Sequence, residues 1–146
     1  AAGLAIDPRR LEEFRRRFNE VCTASLAGVD LAPAVTIDAW GEFGEMDWKL
    51  LEVLDQLKPF GEGNPTPVLA ARELAVVGAP REVGSGHLRM TLASGGRQFG
   101  AIGFNMASRE IPAGPLDVAF ALRANDYRGH RSLELHLEDF RPAEPV

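Results

Sequence analysis

The apolar residues in the second half of this 146-residue chain recur at every second position. Runs of this kind begin at Leu88, Leu116 and Leu133, and polar or small residues fill most of the intervening positions. Alternation with a period of two is typical of β-strands that have one buried and one solvated face. It places the side chain of Phe120 inside, with its apolar neighbours. The second half of the chain is therefore predicted to consist mainly of β-strands.

Two further strands and three turns complete this part of the chain. Strands are expected near Arg72–Val83, with a kink at Gly78-Ala79-Pro80, and near Gln98–Phe104. The turns are the glycine-containing segments, namely Gly84-Ser85-Gly86, Ser94-Gly95-Gly96 and the loop Asn125–Arg131. Five antiparallel strands at this spacing predict an OB-like β-barrel over residues 68–146, because closing the sheet removes its exposed edges.

Residues 1–58 show helical spacing instead. Asp7-Pro8 is a helix start, with an Asp cap and proline in the first turn, and apolar residues then recur three or four apart as far as Gly28. A second amphipathic helix is predicted over Met46–Leu57, and a short strand over Val35–Ile37. The chain as a whole is therefore predicted to be α+β.

Residues 59–67 hold three prolines and two glycines, so they form neither a helix nor a central strand. We place the domain boundary in this connector. Phe60 is predicted to be buried between the second helix and the barrel, flanked by turns that only Gly61 and Gly63 accept. Two interpretations of the glycines stay open: a rigid elbow, which linker composition favours, and backbone N–H groups offered to a phosphate. The structural residues of the connector are Pro59, Phe60, Gly61, Gly63, Asn64 and Pro65.

The charges are unevenly distributed along the chain. The net charge is −5, which argues against a protein that coats nucleic acid by bulk charge. Residues 1–66 hold seven basic and twelve acidic groups, whereas residues 67–146 hold nine of each, and all nine basic groups there are arginine. Arginine suits phosphate and aromatic rings, but high-GC codon usage would produce the same bias, so both explanations stay open.

Residues that could carry chemistry are few. A single cysteine, Cys22, excludes a disulfide framework and a multi-cysteine metal site, and it favours a reducing cytoplasm. The three histidines lack metal-ligand spacing, and no serine has a nucleophile-elbow context. The basic run Arg15-Arg16-Arg17 follows Glu12 and Glu13 and is interpreted as a salt-bridged helix face. No self-sufficient active site and no metal site are predicted.

The loop Asn125–Arg131 is the strongest candidate binding element. It carries an aromatic ring and two guanidinium groups, and these are the groups on which bases stack and to which phosphates bind. The candidate DNA-binding residues are Arg89, Arg123, Tyr127, Arg128 and Arg131, which are expected to line one surface. A polar hairpin tip with a turn glycine explains the same loop equally well.

Several motifs resemble the RecJ family of single-stranded-DNA-specific exonucleases. The most specific is the run from Leu57 to Pro67, LKPFGEGNPTP, which is similar to the family's L-x-P-F-G-x-G-N-P-x-P stretch. Val83–Arg89 looks like the family's V-G-x-x-H-L-K, with arginine in place of lysine. Ala1-Ala2-Gly3 resembles the tail of its Gly-Gly-His-x-x-Ala-Ala-Gly phosphate motif. Asp7–Leu26 resembles the helix that closes its DHH-associated domain.

The resemblance implies that the chain is a C-terminal fragment of a 5′-to-3′ exonuclease. Residues 1–58 would end the DHH-associated domain and residues 68–146 would form the OB-like domain. The parent enzyme would use Mg²⁺ or Mn²⁺, act in the cytoplasm and serve DNA repair and recombination. No Asp-His-His occurs here, so the fragment is expected to be catalytically silent and to hold no cofactor. Ala1, Ala2 and Gly3 would be a remnant of the phosphate motif.

The expected partner is single-stranded DNA, and a single-strand-binding protein is a further candidate; no membrane partner is expected. Two other functions stay open. The barrel could be a structural or protein-interaction module, which the net charge of −5 favours. The chain could also belong to a DHH-type phosphodiesterase acting on small nucleotides, although such an enzyme has little use for a barrel.

Overall fold

A computed structural model describes residues 3–127 and 129–144. The chain divides into two compact units, Ala1–Ala34 and Val35–Val146. The first unit holds helix α1 (Leu11–Ser25), which follows a 3-10 turn at Pro8–Arg10. The Asp7 carboxylate accepts a hydrogen bond from the Arg9 backbone N–H at 2.9 Å, so the Asp-Pro start signal works as predicted.

The basic run of α1 is bound to carboxylates on the same helix. Arg17 pairs with Glu13 at 3.1 Å, and Arg16 pairs with Glu20 at 2.8 Å, each four positions away. Such pairs contribute only about 0.2–0.5 kcal/mol apiece. The prediction of a salt-bridged, solvated helix face is confirmed.

Among its described residues, the second unit has one α-helix, a 3-10 turn at Phe43–Glu45 and six strands. In chain order the helix and strands are β1 (Ala39–Trp40), α2 (Trp48–Asp55), β2 (Leu69–Val83), β3 (His87–Ser94), β4 (Arg97–Gly103), β5 (Leu116–Tyr127) and β6 (His130–Pro142). The strands pair in the order β1-β2-β3-β4-β6-β5, and β5 pairs again with β2. Strands β2 to β6 therefore close into a five-stranded barrel, which confirms the predicted α+β, OB-like fold.

One seam of this barrel differs from the all-antiparallel prediction. β4 and β6 run parallel, with Ala101 opposite Leu135. A closed ring with an odd number of strands cannot alternate in direction throughout, so at least one neighbouring pair must be parallel. The sequence pattern reports burial and not strand direction, which is why the seam was missed.

The predicted kink and turns lie where the glycines indicated. Gly78 has φ +72°, and the register between β2 and β3 shifts between Val77 and Arg81. Gly95 and Gly96 both have positive φ, at +56° and +77°, as the tight hairpin between β3 and β4 requires.

The short strand predicted at Val35–Ile37 is wrong in position. Strand β1 comprises Ala39–Trp40 and pairs in parallel with the start of β2. Asp38 fixes this register, because its backbone N–H donates to Val68 O at 2.9 Å and its carboxylate accepts from Val68 N–H at 2.8 Å. A long-range polar contact, and not the local β-propensity, decides where the strand forms.

The barrel interior is filled by alternate residues of its strands. Phe120 has no exposed surface, as predicted. Three buried residues from outside the barrel strands belong to the same core: Phe43, Met46 and Leu51. Phe43 packs edge-on against Phe99 of β4, with ring centroids 5.0 Å apart. Helix α2 thus belongs to the same compact unit as the barrel. This unit begins at Val35, upstream of the boundary predicted at residues 59–67.

The connector is organised by Asn64. Its side-chain amide donates to the carbonyl oxygens of Leu57 at 2.8 Å and Pro59 at 2.9 Å. Its backbone also exchanges two hydrogen bonds with Gly61. These bonds close residues 57–64 into one compact turn, which Pro65 follows directly.

Two predictions about the connector are wrong. Phe60 is half-buried and not buried. Gly61 and Gly63 do not have positive φ, and a Cβ added at either would meet nothing within 4 Å. The turn is made by the Asn64 side chain, so it does not depend on conformations that only glycine adopts.

Candidate nucleic-acid interface

One outer wall of the barrel gathers polar and aromatic side chains. Residues opposite one another in register point to the same face, and so do residues two positions apart on one strand. Glu134 of β6 is paired with Arg123 of β5 and with Gly100 of β4. Ile102, two positions after Gly100, is paired with Arg89 of β3, so all these residues share one face. Interior residues such as Phe120 occupy the alternate positions. We call this wall the outer face.

An ion pair lies at the centre of the outer face. Arg89 Nη2 donates to Glu134 Oε1 at 2.8 Å, and the Asn125 side-chain amide donates to the same oxygen at 3.1 Å. Glu134 is 6% exposed. The pair lies above Gly100, where a Cβ would come within 3.8 Å of Arg89 and 3.9 Å of Glu134. The pair therefore lies directly over β4, within van der Waals reach of the Gly100 position.

A groove of about 700 Å³ opens on one side of this ion pair. It is lined by Arg81, Val83, Arg89, Asn125, Tyr127, His130, Ser132 and Glu134. Arg81 is exposed and forms no ion pair with any residue of the described ranges. The groove therefore offers a guanidinium at one wall and the ring of Tyr127, which is 64% exposed, at another.

A row of three rings lies on the other side of the ion pair. Phe104 contacts His87 and His136 edge-on, with centroid distances of 5.2 and 5.4 Å. The Asn105 backbone N–H donates to His87 Nδ1 at 3.1 Å, which fixes one end of the row. Phe104 itself is 49% exposed. The ring row, His87–Phe104–His136, thus presents a large apolar ring to solvent beside a guanidinium.

His136 joins the ring row to the ion pair. Its Nε2 lies 3.6 Å from Glu134 Oε2. Burial lowers the pKa of His136 from its ordinary value, the Glu134 carboxylate opposes that shift, and the nearby Arg123 guanidinium adds to it. The lowered pKa keeps this imidazole neutral at pH 7, when it acts as an aromatic surface and not as a cation.

The structure brings some of the sequence-predicted residues together. Arg89 and Tyr127 line the same groove. Arg123 is on the outer face but is half-buried, and its Nη2 donates to Thr66 Oγ1 at 3.0 Å. Its guanidinium therefore has a structural partner in the connector. Arg128 lies outside the described residues.

Arg131 does not lie on this face. The predicted loop Asn125–Arg131 is mostly strand, and its register pairs Tyr127 with His130 and Asp126 with Arg131. Arg131 thus alternates to the opposite face, where its guanidinium lies 4.7 Å from the centre of the Trp48 ring. The expectation of a single surface holding all the loop cations is wrong for Arg131.

Three residues of the outer face were not predicted as site residues: Arg81, Phe104 and His87. A fourth, His136, was likewise not predicted as a site residue. Strand alternation does indicate that His87 and His136 point outward. The β3–β4 hairpin brings His87 to Phe104, but His136 reaches Phe104 only through the parallel pairing of β4 and β6, which no local pattern reports.

The part of the chain that the structure describes does not fit a metal centre. No group of three or more His, Cys, Asp or Glu side chains in residues 3–127 and 129–144 is arranged to hold an ion. Gly3 of the phosphate-motif remnant is exposed, and Ala1 and Ala2 lie outside the described residues. In these same ranges no helix has the length and apolar character needed to cross a membrane.

Comparison with known proteins gives a consistent result. The family model of the RecJ OB domain matches residues 37–139. The chain is 29% identical over 147 residues to the single-stranded-DNA-specific exonuclease RecJ of Salmonella typhimurium, covering 97% of this chain and 25% of that protein. It is 24% identical over 149 residues to RecJ of Bacillus subtilis, covering 99% of this chain and 19% of that one.

Solved structures agree with the sequence matches. The crystal structure of RecJ in complex with Mn²⁺ from Thermus thermophilus superimposes with a TM-score of 0.71 at 26% identity, covering 99% of this chain and 21% of that one. The complex with Mg²⁺ from the same organism gives 0.68 at 25% identity, covering 97% and 21%. The chain spans a quarter or less of the length of these relatives. On the match of its barrel to the family model, this chain belongs to the RecJ OB-domain family.

Proposed function

We propose that the second unit binds single-stranded DNA as part of a RecJ-like 5′-to-3′ exonuclease. The observation that carries the proposal is the ring row beside Arg89. Phe104 is exposed between two imidazoles, next to a guanidinium and a groove whose lining includes Tyr127. Each base stacked on an aromatic ring contributes roughly 1–3 kcal/mol, whatever its sequence.

The two parts of the outer face suit different parts of a strand. The rings and the neutral His136 offer stacking surfaces to bases, while Arg81 and Arg89 offer charge to phosphates. One base on Phe104 and phosphates along the groove would place a strand across β3, β4 and β6. The net charge of −5 keeps this binding weak for the chain alone.

The remaining parts of the proposal concern the longer protein. Catalysis by Mg²⁺ or Mn²⁺ would reside in a DHH domain outside this chain, and the OB unit would hold the strand that feeds it. Residues 1–58 would close the DHH-associated domain, as their resemblance to RecJ implies. We place the enzyme in the cytoplasm, where a single free cysteine stays reduced, and in DNA repair and recombination.

The experiment is a titration of labelled oligothymidylate of 15 nucleotides with the 146-residue chain, followed by fluorescence anisotropy across a salt series. We expect weak binding whose affinity falls as the salt concentration rises. The slope of the logarithm of the affinity against the logarithm of the salt concentration should be about −0.7 for each phosphate contacted. A duplex of the same length is the control, since paired bases cannot stack on Phe104. Equal affinity for both, or no binding at low salt, would contradict the proposal.

A structural or protein-docking role is the second candidate. A separate cavity of about 250 Å³ is lined by apolar residues of the β1 region, Val35, Ile37 and Trp40, and by Asp117 and Arg141 across it. Such a mixed cavity suits an apolar side chain with a charged neighbour, as a peptide of a single-strand-binding protein could supply. Retention of partner binding by a Phe104→Ala variant and its loss in Trp40→Ala would favour this role.

A further inference from the structure

The Arg89–Glu134 ion pair lies at the centre of the outer face, and both residues line the groove. It lies between the groove and the ring row, because Glu134 contacts Arg89 on one side and His136 on the other. Glu134 reaches it from β6 with its carboxylate almost fully buried, whereas the side chain of Arg89 is 36% exposed. The cation of the pair thus faces solvent and the anion lies beneath it.

A carboxylate and a phosphate group accept the same kind of bond from a guanidinium, namely charge-assisted N–H donation in a fork. Glu134 already takes one such bond from Arg89 at 2.8 Å, and Asn125 holds the carboxylate in place with another at 3.1 Å. The pair lies over Gly100 of β4, close to the sheet. Glu134 is therefore a preorganised rival for the anion that Arg89 would otherwise bind.

We infer that Glu134 is an internal competitor for phosphate at Arg89, and that it weakens the hold of the barrel on the backbone of a single strand. This inference rests on the proposed function and concerns the regulation of the same site. Bases would bind to the ring row unopposed, while each phosphate that reaches Arg89 must displace the carboxylate. A strand held mainly through its bases and loosely through its phosphates can move along the face.

The test compares the affinity of the 146-residue chain and its variants for labelled oligothymidylate of 15 nucleotides. Glu134→Gln removes the charge and keeps an oxygen that can accept from Asn125. It should tighten binding roughly fivefold, because Arg89 no longer has to break an ion pair before it binds a phosphate. It should also make the salt slope steeper by about 0.7, since Arg89 then neutralises a further phosphate.

Two controls separate this mechanism from simple repulsion. Glu138→Gln makes the same change of net charge on the same strand at an exposed position, and should alter the affinity by less than about twofold. In an Arg89→Gln background, Glu134→Gln should give no gain, because the cation it would release is missing. A gain that persists without Arg89 would overturn the inference, since Glu134 would then act only as a negative charge.

A second variant covers the case in which Glu134→Gln fails to fold, as judged by circular dichroism. Glu134→Asp keeps the charge but draws the carboxylate back by one methylene, so it should tighten binding by a smaller factor at unchanged net charge. If the parent binds the oligonucleotide and neither variant binds more tightly, the inference fails and the proposed function stands. If neither the parent nor any variant binds, both fail.

Discussion

Arg123 of β5 and Thr66 of the connector, 57 positions apart in sequence, are joined by a hydrogen bond of 3.0 Å from Nη2 to Oγ1. The bond ties the connector to the wall of the barrel at the point where β2 is about to begin. It also gives the Arg123 guanidinium a structural partner. A residue that the sequence suggested for DNA binding therefore holds the fold together as well.

Replacement of Thr66 by valine keeps the shape of the side chain and removes the acceptor oxygen. We expect the free energy of unfolding to fall by about 1.5 kcal/mol, because a half-buried guanidinium loses its hydrogen bond. Urea denaturation monitored by tryptophan fluorescence measures the change. Thr36→Val is the matched control at an exposed position. Equal effects of the two substitutions would show that the bond to Arg123 contributes nothing.

The connector should tolerate changes at its glycines but not at Asn64. Asn64→Ala deletes two hydrogen bonds to carbonyl oxygens and should cost about 1–2 kcal/mol. Gly61→Ala and Gly63→Ala should be neutral or slightly stabilising, because neither position has positive φ and both have open space for a Cβ. Thermal unfolding of the three variants ranks them. Thermal midpoints of the glycine variants below that of Asn64→Ala would refute this explanation of the turn.

Phe104→Ala should weaken binding of single-stranded DNA by roughly 1–3 kcal/mol, the contribution of one stacked base. Its thermal midpoint should hardly change, because about half of the ring is exposed already. Phe18→Ala, which removes another exposed phenylalanine from α1, should leave the affinity unaltered. Anisotropy titration with oligothymidylate separates the two, and a similar loss in both variants would argue against a base on Phe104.

The stability of the barrel should depend on pH through His136. Because burial lowers its folded-state pKa below the ordinary value of about 6.5, the unfolded chain takes up this proton first as pH falls. The contribution of His136 is constant above that value, falls as pH drops through about 6.5 to the folded-state pKa, and is level again below it. His136→Gln should therefore lose less stability than the parent between pH 8 and pH 5, measured as urea midpoints. Equal losses of stability in the variant and the parent would show that His136 does not carry this pH dependence.

Strand positions could be predicted from the sequence because burial on one face leaves a period of two in the residue types. Leu88, Leu116 and Leu133 each begin such a run, and each lies in a strand of the barrel. The parallel seam between β4 and β6 could not be predicted this way, since alternation is the same in either direction. The position of β1 likewise depends on Asp38 meeting Val68, thirty residues away.

The candidate site could be predicted from the sequence only where it depends on residue type and not on contacts between distant segments. Tyr127 and Arg89 were identified from residue type, and they do line one groove. Arg131 was misassigned because a single residue of register decides which face of a hairpin a side chain occupies. The ring row was not predicted because His136 reaches Phe104 only through the parallel pairing of β4 and β6, which closes the barrel.

The most direct test of the central claim is the map of amide chemical-shift changes when unlabelled oligothymidylate is added to ¹⁵N-labelled chain. The account predicts the largest changes on the outer face, around Arg89, Phe104, Tyr127 and His136. It predicts small changes around Trp48 and Arg131, on the opposite face of the β5–β6 hairpin. Changes centred on Trp48 and Arg131, or spread evenly over the barrel, would contradict it.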